Sequence, residues 1–280
     1  FENRGSYTAS TKGHMKNFGI FSNAGYKFNE NSILSVYGRS DDHNTTGRNQ
    51  TYKVNFTKLF DKFKFGLTHS TGLRNPTLYE LYGSDNYGIG GNVNLNPEKS
   101  ETNELSLKFN ILDNLSFNST AYRAKVYDQI ESNDAYTKHE NQLININQEG
   151  VENELSFSGN NQSLTMYNIF STSTKTNGDA QSRRPNLNYG INYVKKKLPS
   201  PVGPINLNLN YKYTGEYIDW DGSSNSKQKS TDIIDLSLTK NLLGTTFSLK
   251  LTNLLNERYE KPATYSQDGR QIRFGIKNSF

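Results

Sequence analysis

Apolar and polar residues alternate with a period of two over much of the chain. Between residues 205 and 217, the odd positions read Ile, Leu, Leu, Tyr, Tyr, Gly and Tyr, and the even positions read Asn, Asn, Asn, Lys, Thr and Glu. Successive side chains of a strand point to opposite faces, so this segment predicts a strand with one apolar and one polar face. The same alternation occurs within residues 52–56, 105–111, 151–157, 187–193, 247–251 and 272–280. We predict about thirteen strands, with residues 2–8 as the end of a fourteenth.

The connections between the predicted strands alternate in length. Short connections rich in Asn, Asp, Gly or Pro are predicted at 29–31, 61–62, 113–114, 159–162, 198–204 and 241–244. Long connections are predicted at 41–49, 73–99, 131–141, 177–182, 219–229 and 254–269. A soluble β-sandwich has no reason to place all short turns at one end, whereas a membrane barrel does. The pattern therefore predicts an all-β, antiparallel transmembrane β-barrel, with apolar faces towards lipid and polar faces towards an aqueous lumen.

The composition agrees with such a barrel. Hydrophobic residues make up 32% of the chain and the mean hydropathy is −0.81, which is low for a soluble protein with a thick core. Aromatic residues make up 12%, which is too many for a disordered chain. The net charge of +5 is interpreted as a solvated surface. The first residue is Phe and no signal peptide follows, so the sequence is expected to start inside a longer protein.

Catalytic and metal-binding motifs find little support. The sequence has no cysteine, no HExxH pair and no GxSxG motif, and its four histidines are scattered. The pairs Asp41/Asp42 and Asp219/Asp221 could bind a hard cation, but solvated acidic loops are the favoured interpretation. We therefore predict no enzymatic activity, no cofactor and no metal site.

Aromatic residues in the long connections are better candidates, because rigid amphipathic rings suit a bulky ligand at the mouth of a pore. These candidates are Tyr79, Tyr82, Tyr87, Tyr217 and Trp220. For each of them, packing within a loop or within an interfacial aromatic belt is an equally good interpretation. Arg183 and Arg184 could bind an anionic ligand group, although pairing with carboxylates is slightly favoured.

Two segments and the end of the chain resemble TonB-dependent outer-membrane receptors. Residues 70–83 read STGLRNPTLYELYG and residues 94–101 read NLNPEKSE, similar to a mid-barrel segment of that family. Residues 251–259, LTNLLNERY, together with the terminal Phe280, resemble its last strands. The resemblance implies a 22-stranded barrel around an N-terminal plug. This chain would then be one domain, residues 1–280, forming the C-terminal 13 to 14 strands without the plug.

Within that family, the sequence is most similar to cobalamin (vitamin B12) transporters, although siderophore receptors share much of the pattern. The similar segments are residues 38–42, 47–48, 81–83, 96–100 and 148–152. The resemblance implies a cobalamin-contacting arginine at Arg183 and, approximately, a ligand-contacting position at Trp220. Trp220 stands where the family has tyrosine, which keeps the stacking surface and loses the hydroxyl. The calcium-binding loops and the plug of such transporters would lie upstream of residue 1.

The leading hypothesis is an active importer in the bacterial outer membrane for a bulky, scarce nutrient, with cobalamin first and an iron-siderophore second. The expected partners are that ligand, TonB through the missing plug segment, and outer-membrane lipid and lipopolysaccharide; nucleic acid is not expected. A passive porin of about 14 strands is the alternative from another class, and an outer-membrane hydrolase is a third. Residues 73–99 are long enough for a porin constriction loop but carry few charges, which disfavours that alternative.

Overall fold

The computed structural model describes residues 8–9, 13–85, 88–133 and 135–278, and its main element is one antiparallel sheet of thirteen strands. The strands are β1 (Asn17–Asn29), β2 (Ser32–His43), β3 (Gly47–Leu59), β4 (Phe63–Arg74), β5 (Glu98–Leu112), β6 (Leu115–Tyr127), β7 (Ile146–Gly159), β8 (Gln162–Lys175), β9 (Leu187–Leu198), β10 (Ile205–Thr214), β11 (Thr231–Leu242), β12 (Thr245–Thr252) and β13 (Gln271–Asn278). Each strand pairs with the next one along the chain, and β1 and β13 are the edges of the described sheet. The predicted all-β, antiparallel fold of about thirteen strands is confirmed.

The register of the sheet separates apolar from polar residues. One apolar row crosses the seven strands β7 to β13 through Phe157, Leu164, Tyr193, Leu209, Leu236, Leu251 and Ile272. A polar row, one residue away on each strand, passes through Ser156, Thr165, Asn192, Asn210 and Asp235. Adjacent residues of a strand point to opposite faces, so the two rows lie on opposite sides of the sheet.

The apolar face is not covered by other elements of the described chain. Each long strand makes its main contacts with its neighbours in the sheet. The buried apolar side chains are few, and all lie in or next to the long connections: Leu81, Leu95, Ile130, Ile146 and Ala263. Phe274, on the apolar face of β13, is 81% exposed. An uncovered apolar face opposite a polar one is what a barrel wall between lipid and a wet lumen requires.

The strands are long enough for that role. Most have 12 to 15 residues, and a strand of twelve residues tilted by 45° spans about 28 Å, close to the thickness of a bilayer core. Within the described ranges, no helix has the length and apolar content needed to cross a membrane.

Short connections lie at one end of the sheet, here named the turn end, and long ones at the other, the loop end. The turn-end connections are 30–31, 60–62, 113–114, 160–161, 199–204 and 243–244. The loop-end connections are 44–46, 75–97, 128–145, 176–186, 215–230 and 253–270. The predicted alternation of connection lengths is thus confirmed for all but the first loop-end connection.

The prediction of a long connection at residues 41–49 was wrong, because β2 and β3 continue through it and leave only residues 44–46. In the structure Arg39 Nε donates to Asp41 Oδ2 at 2.5 Å, and Asn17 Nδ2 donates to Asp41 Oδ1 at 2.9 Å. Charged side chains that pair on a wetted face do not end a strand.

The expected fourteenth strand and the terminal aromatic fall mostly outside the described residues. Of residues 2–8 only Thr8 is described, and Thr8–Ala9 pairs with Ser84–Asp85 in the 75–97 connection instead of with the sheet edge. Phe280 lies outside the described residues.

Aromatic rings gather where β9 and β10 reach the loop end. Tyr189 and Tyr213 stack with ring centroids 4.5 Å apart, and Tyr211 Oη donates to Asp232 Oδ1 at 2.6 Å. This position is typical of the aromatic girdle at a membrane interface. Tyr217 lies beyond the end of β10, in a separate hairpin.

Candidate functional site at the loop end

A short hairpin rises from the sheet in the 215–230 connection and carries two of the candidate residues. It is formed by Tyr217–Trp220 and Asn225–Gln228. Asp221 shapes its turn by accepting hydrogen bonds from the backbone nitrogens of Ser223 and Ser224, both at 2.9 Å. These bonds, together with the Ser223 hydroxyl, lower the pKa of Asp221 to about 2. The turn therefore keeps its negative charge and its shape at neutral pH.

Asp219 joins the hairpin to two other loop-end connections. Its side chain is only 1% exposed. Oδ1 accepts from Arg183 Nε at 2.7 Å and from Trp220 N at 2.9 Å, and Oδ2 accepts from Ala263 N at 2.8 Å. Arg183 belongs to the 176–186 connection and Ala263 to the 253–270 connection. One buried carboxylate thus connects three loops that are far apart in sequence.

The carboxylate of Asp219 is ionised despite its burial. Burial by itself would raise its pKa, but the hydrogen bonds from Ala263 N, Arg183 and Trp220 N favour the charged form and bring the pKa below its ordinary value. A buried charge is tolerated when it is paired and hydrogen-bonded, as it is here.

Arg183 is held by its backbone as well as by its side chain. Its φ of 62° lies in the left-handed region, and its backbone nitrogen donates to Ile218 O at 2.7 Å. The side chain is 60% exposed although Nε binds Asp219. The geometry therefore agrees with the interpretation that Arg183 pairs with a carboxylate. More than half of its side chain is nevertheless exposed to solvent.

Trp220 and Tyr217 project from the same strand of the hairpin. Trp220 is 50% exposed, so much of its ring is accessible. Tyr217 Oη donates to Glu260 O at 3.4 Å, and partial burial followed by the nearby charge of Asp219 raises the pKa of Tyr217. Arg183 and Tyr217 thus lie near the Asp219 carboxylate, whereas Trp220 contacts it through its backbone nitrogen.

Tyr79 and Tyr82 lie on the short helix α1 (Leu78–Tyr82) in the 75–97 connection. The helix starts with a capping box: Glu80 N donates to the Thr77 hydroxyl at 3.2 Å, and Thr77 N donates to Glu80 Oε2 at 2.7 Å. Tyr82 is 37% exposed. The Tyr79 ring meets His139 edge to face, with centroids 5.4 Å apart.

Arg74 fixes this helix to the sheet. Its guanidinium binds Glu80 through two bonds of 3.1 Å and Glu98 through bonds of 2.7 and 2.6 Å. Burial raises the pKa of Glu80, but hydrogen bonds from Arg74 and Thr77 outweigh it and lower the pKa. The apolar face of α1 is anchored through Leu81, which is buried with Leu95 and Ile130.

The structure does not bring all the predicted aromatic residues into one patch. Six strand spacings separate the α1 residues from the 217–220 hairpin, which corresponds to roughly 29 Å along the sheet. Tyr87 lies outside the described residues, so its role stays a prediction. The candidates therefore form two groups along the rim.

Sequence analysis missed a polar group on the lumen side of β7 and β8. Gln181 Oε1 accepts from Ser173 Oγ at 2.6 Å, from Gln148 Nε2 at 3.3 Å and from Arg184 Nε at 3.5 Å. The period-two pattern places Gln148 and Ser173 on the polar face, but local sequence has no signal for the folding of Gln181 onto them. In the part of the chain that the structure describes, no group of three or more acidic or histidine residues could hold a metal ion.

Residues 1–254 match the family described as TonB dependent receptor-like, beta-barrel. The chain belongs to this family, and its barrel wall is accordingly located in the bacterial outer membrane. It is 24% identical over 254 residues to the vitamin B12 transporter BtuB of Vibrio cholerae. The aligned region covers 89% of this chain and 40% of the transporter. The chain thus spans less than half the length of this relative.

Solved structures of siderophore receptors share the fold. A mutant of the ferric enterobactin receptor PfeA from Pseudomonas aeruginosa has a TM-score of 0.80 at 18% identity, covering 97% of this chain and 46% of the receptor. The siderophore receptor PirA from Acinetobacter baumannii has a TM-score of 0.78 at 16% identity, covering 95% and 46%. At these identities the likeness concerns the fold, so the comparison leaves the ligand open.

Proposed function

We propose that this chain forms the wall and part of the outer ligand-binding rim of an active importer for a bulky, scarce nutrient, with cobalamin as the first candidate. The observation that carries the proposal is a TonB-dependent receptor barrel whose loop end presents accessible aromatic rings on a hairpin that is fixed by a buried charge. The 24% identity to a vitamin B12 transporter favours cobalamin.

An iron-siderophore is the second candidate ligand. One observation favours it: structures that share this fold include proteins named as siderophore and ferric enterobactin receptors. The family assignment gives no support to a passive porin.

Trp220 and Tyr217 would supply one part of the ligand-contacting surface, with Arg183 beside them, and Tyr79 and Tyr82 the other. Two aromatic groups separated along the rim of a curved wall can approach a bulky ligand from different sides. The barrel would perform no bond chemistry; it would bind the ligand and enclose its path. Energy for import would come from TonB.

The test uses the full-length protein in a strain whose own cobalamin receptor has been deleted. We expect saturable uptake of labelled cyanocobalamin that disappears when TonB is deleted. Uptake of a ferric siderophore without uptake of cobalamin would replace the first candidate by the second. Uptake of small solutes that is non-saturable and independent of TonB would contradict the importer proposal.

A further inference from the structure

The two neighbouring arginines have different surroundings. Arg183 is engaged by the buried carboxylate of Asp219 at 2.7 Å. Arg184, by contrast, forms no salt bridge with Asp or Glu in the described ranges. Its Nε is 3.5 Å from Gln181 Oε1, and the residue is exposed. Among the described residues, the Arg184 guanidinium is therefore not paired directly with a carboxylate.

The surroundings of Arg184 place it on the lumen side of the wall. Gln181 is fixed by Ser173 and Gln148, which belong to the polar faces of β8 and β7. Arg184 also lies within electrostatic reach of the hydroxyl of Tyr122, on the polar face of β6. Arg184 is thus directed towards the enclosed passage and away from lipid.

Tyr122 is placed there by a close contact with a glycine. A Cβ atom at Gly150 would lie 2.9 Å from Tyr122 Oη and 2.6 Å from Phe170 O, so the ring lies across the bare backbone of β7. The result is a polar surface of hydroxyl and amide groups beside one unpaired guanidinium. Glu152 is the other charge that acts on Tyr122, and it forms no salt bridge with Arg184 in the described ranges.

We propose that Arg184, and not Arg183, binds an anionic group of the imported ligand, such as a carboxylate, a phosphodiester or a catecholate oxygen. Arg183 is a positioning residue, which holds the hairpin of Trp220 through Asp219. The terminal nitrogens of Arg184 bond to no other described residue, and a guanidinium suits such oxygens because it can donate two parallel hydrogen bonds. This inference rests on the proposed import function and adds the charge class of the ligand.

The experiment compares Arg184→Gln, Arg184→Lys and Arg183→Gln in the full-length protein. The probes are an anionic ferric tris-catecholate, a neutral ferric tris-hydroxamate and cyanocobalamin, which carries a phosphodiester. For the anionic or phosphodiester probe that the unmodified protein binds, Arg184→Gln should raise Kd about tenfold or more, as expected when a charged hydrogen bond is lost. Arg184→Lys should recover part of the loss.

The matched variant Arg183→Gln distinguishes a residue that positions the hairpin from a residue that contacts the ligand. It should weaken all bound probes by a similar factor and increase proteolysis within the 215–230 connection, whereas Arg184→Gln should leave that proteolysis unchanged. Equal losses for Arg184→Gln and Arg183→Gln on every probe would overturn the inference. Binding of the neutral probe alone would also overturn it while leaving the import function intact. Binding of none of the probes would contradict the proposed function and the inference together.

Discussion

Arg183 Nε donates a hydrogen bond of 2.7 Å to Oδ1 of Asp219, a residue 36 positions further along the chain. The two partners differ in exposure, 60% for the Arg183 side chain and 1% for that of Asp219. The carboxylate is therefore the buried partner of the pair, and the arginine is the partner that solvent can reach. Removing the carboxylate should affect three connections, because Ala263 N also depends on it.

Replacing Asp219 should loosen the loop end without unfolding the sheet. Asp219→Ala removes the acceptor of Arg183 Nε, Trp220 N and Ala263 N, and we expect a loss of about 1–3 kcal/mol in local stability. Hydrogen exchange of residues 215–230 and 253–270 measures the effect. Asp221→Ala is the control, since the bonds of the Asp221 side chain stay within its own hairpin and its loss should leave the 253–270 connection unchanged. Unchanged exchange in the 253–270 connection of Asp219→Ala would contradict the proposed link.

The same carboxylate gives the loop end a pH dependence. Because the pKa of Asp219 is lower in the folded protein than in the unfolded chain, its contribution is fully present above the unfolded value of about 3.9 and is lost as pH falls through the folded value. Hydrogen exchange of the 215–230 connection should therefore be independent of pH, after correction for intrinsic rates, from 7 to 5 and should show loosening only below about 4. Loosening centred near pH 6 would mean that another group controls the hairpin.

The thirteen strands were predictable because each one carries its own signal. A strand such as β10 alternates between lipid-facing and lumen-facing residues, so ten residues suffice to predict that it is a strand and which residues lie on each face. Short turns could be predicted for the same reason, since Asn, Asp and Gly favour a turn at the position where they stand. The predicted connection at residues 41–49 was the exception: Asp41 lies inside β2, where it pairs with Arg39.

The arrangement of the candidate site could not be predicted in the same way. The burial of Asp219 depends on Arg183, Trp220 and Ala263 together, and no periodicity links three positions in different loops. The sequence suggested Asp219 and Asp221 as a pair because of their spacing. The structure separates them into a buried acceptor for three loops and a residue that shapes its own turn.

Trp220 should contribute to ligand capture through its exposed ring. We expect Trp220→Ala to weaken ligand binding severalfold and Trp220→Phe to retain most of the affinity, because a smaller ring still stacks. Barrel assembly, measured by heat-modifiable electrophoretic mobility, should be normal in both variants. Tyr136→Ala changes a loop aromatic with a similar exposure of 63% outside the candidate groups and serves as the control. If Trp220→Ala binds ligand like the unmodified protein, Trp220 belongs to loop packing or the aromatic girdle.

The α1 tyrosines depend on the cap of their helix. Thr77→Ala removes the hydroxyl that accepts from Glu80 N, and loss of such a cap costs about 1 kcal/mol. A five-residue helix has little else to stabilise it, so hydrogen exchange of residues 78–82 should accelerate. Thr77→Ser keeps the acceptor and should behave like the unmodified protein. Equal exchange in both variants would show that Arg74 and the buried Leu81 hold the helix without the cap.

The assignment of the two faces of the sheet can be tested with a pair of adjacent residues. Leu236 lies near the middle of β11 in the apolar row between Leu209 and Leu251, and Ser237 follows it on the polar face. A lysine on the lipid side near the bilayer centre costs about 2–4 kcal/mol, whereas a lysine in the lumen is solvated. Leu236→Lys should therefore reduce the fraction of heat-modifiable, folded barrel, and Ser237→Lys should leave it nearly unchanged. The opposite order would mean that the apolar rows do not face acyl chains, and the lipid-facing and lumen-facing sides of the sheet would have to be exchanged.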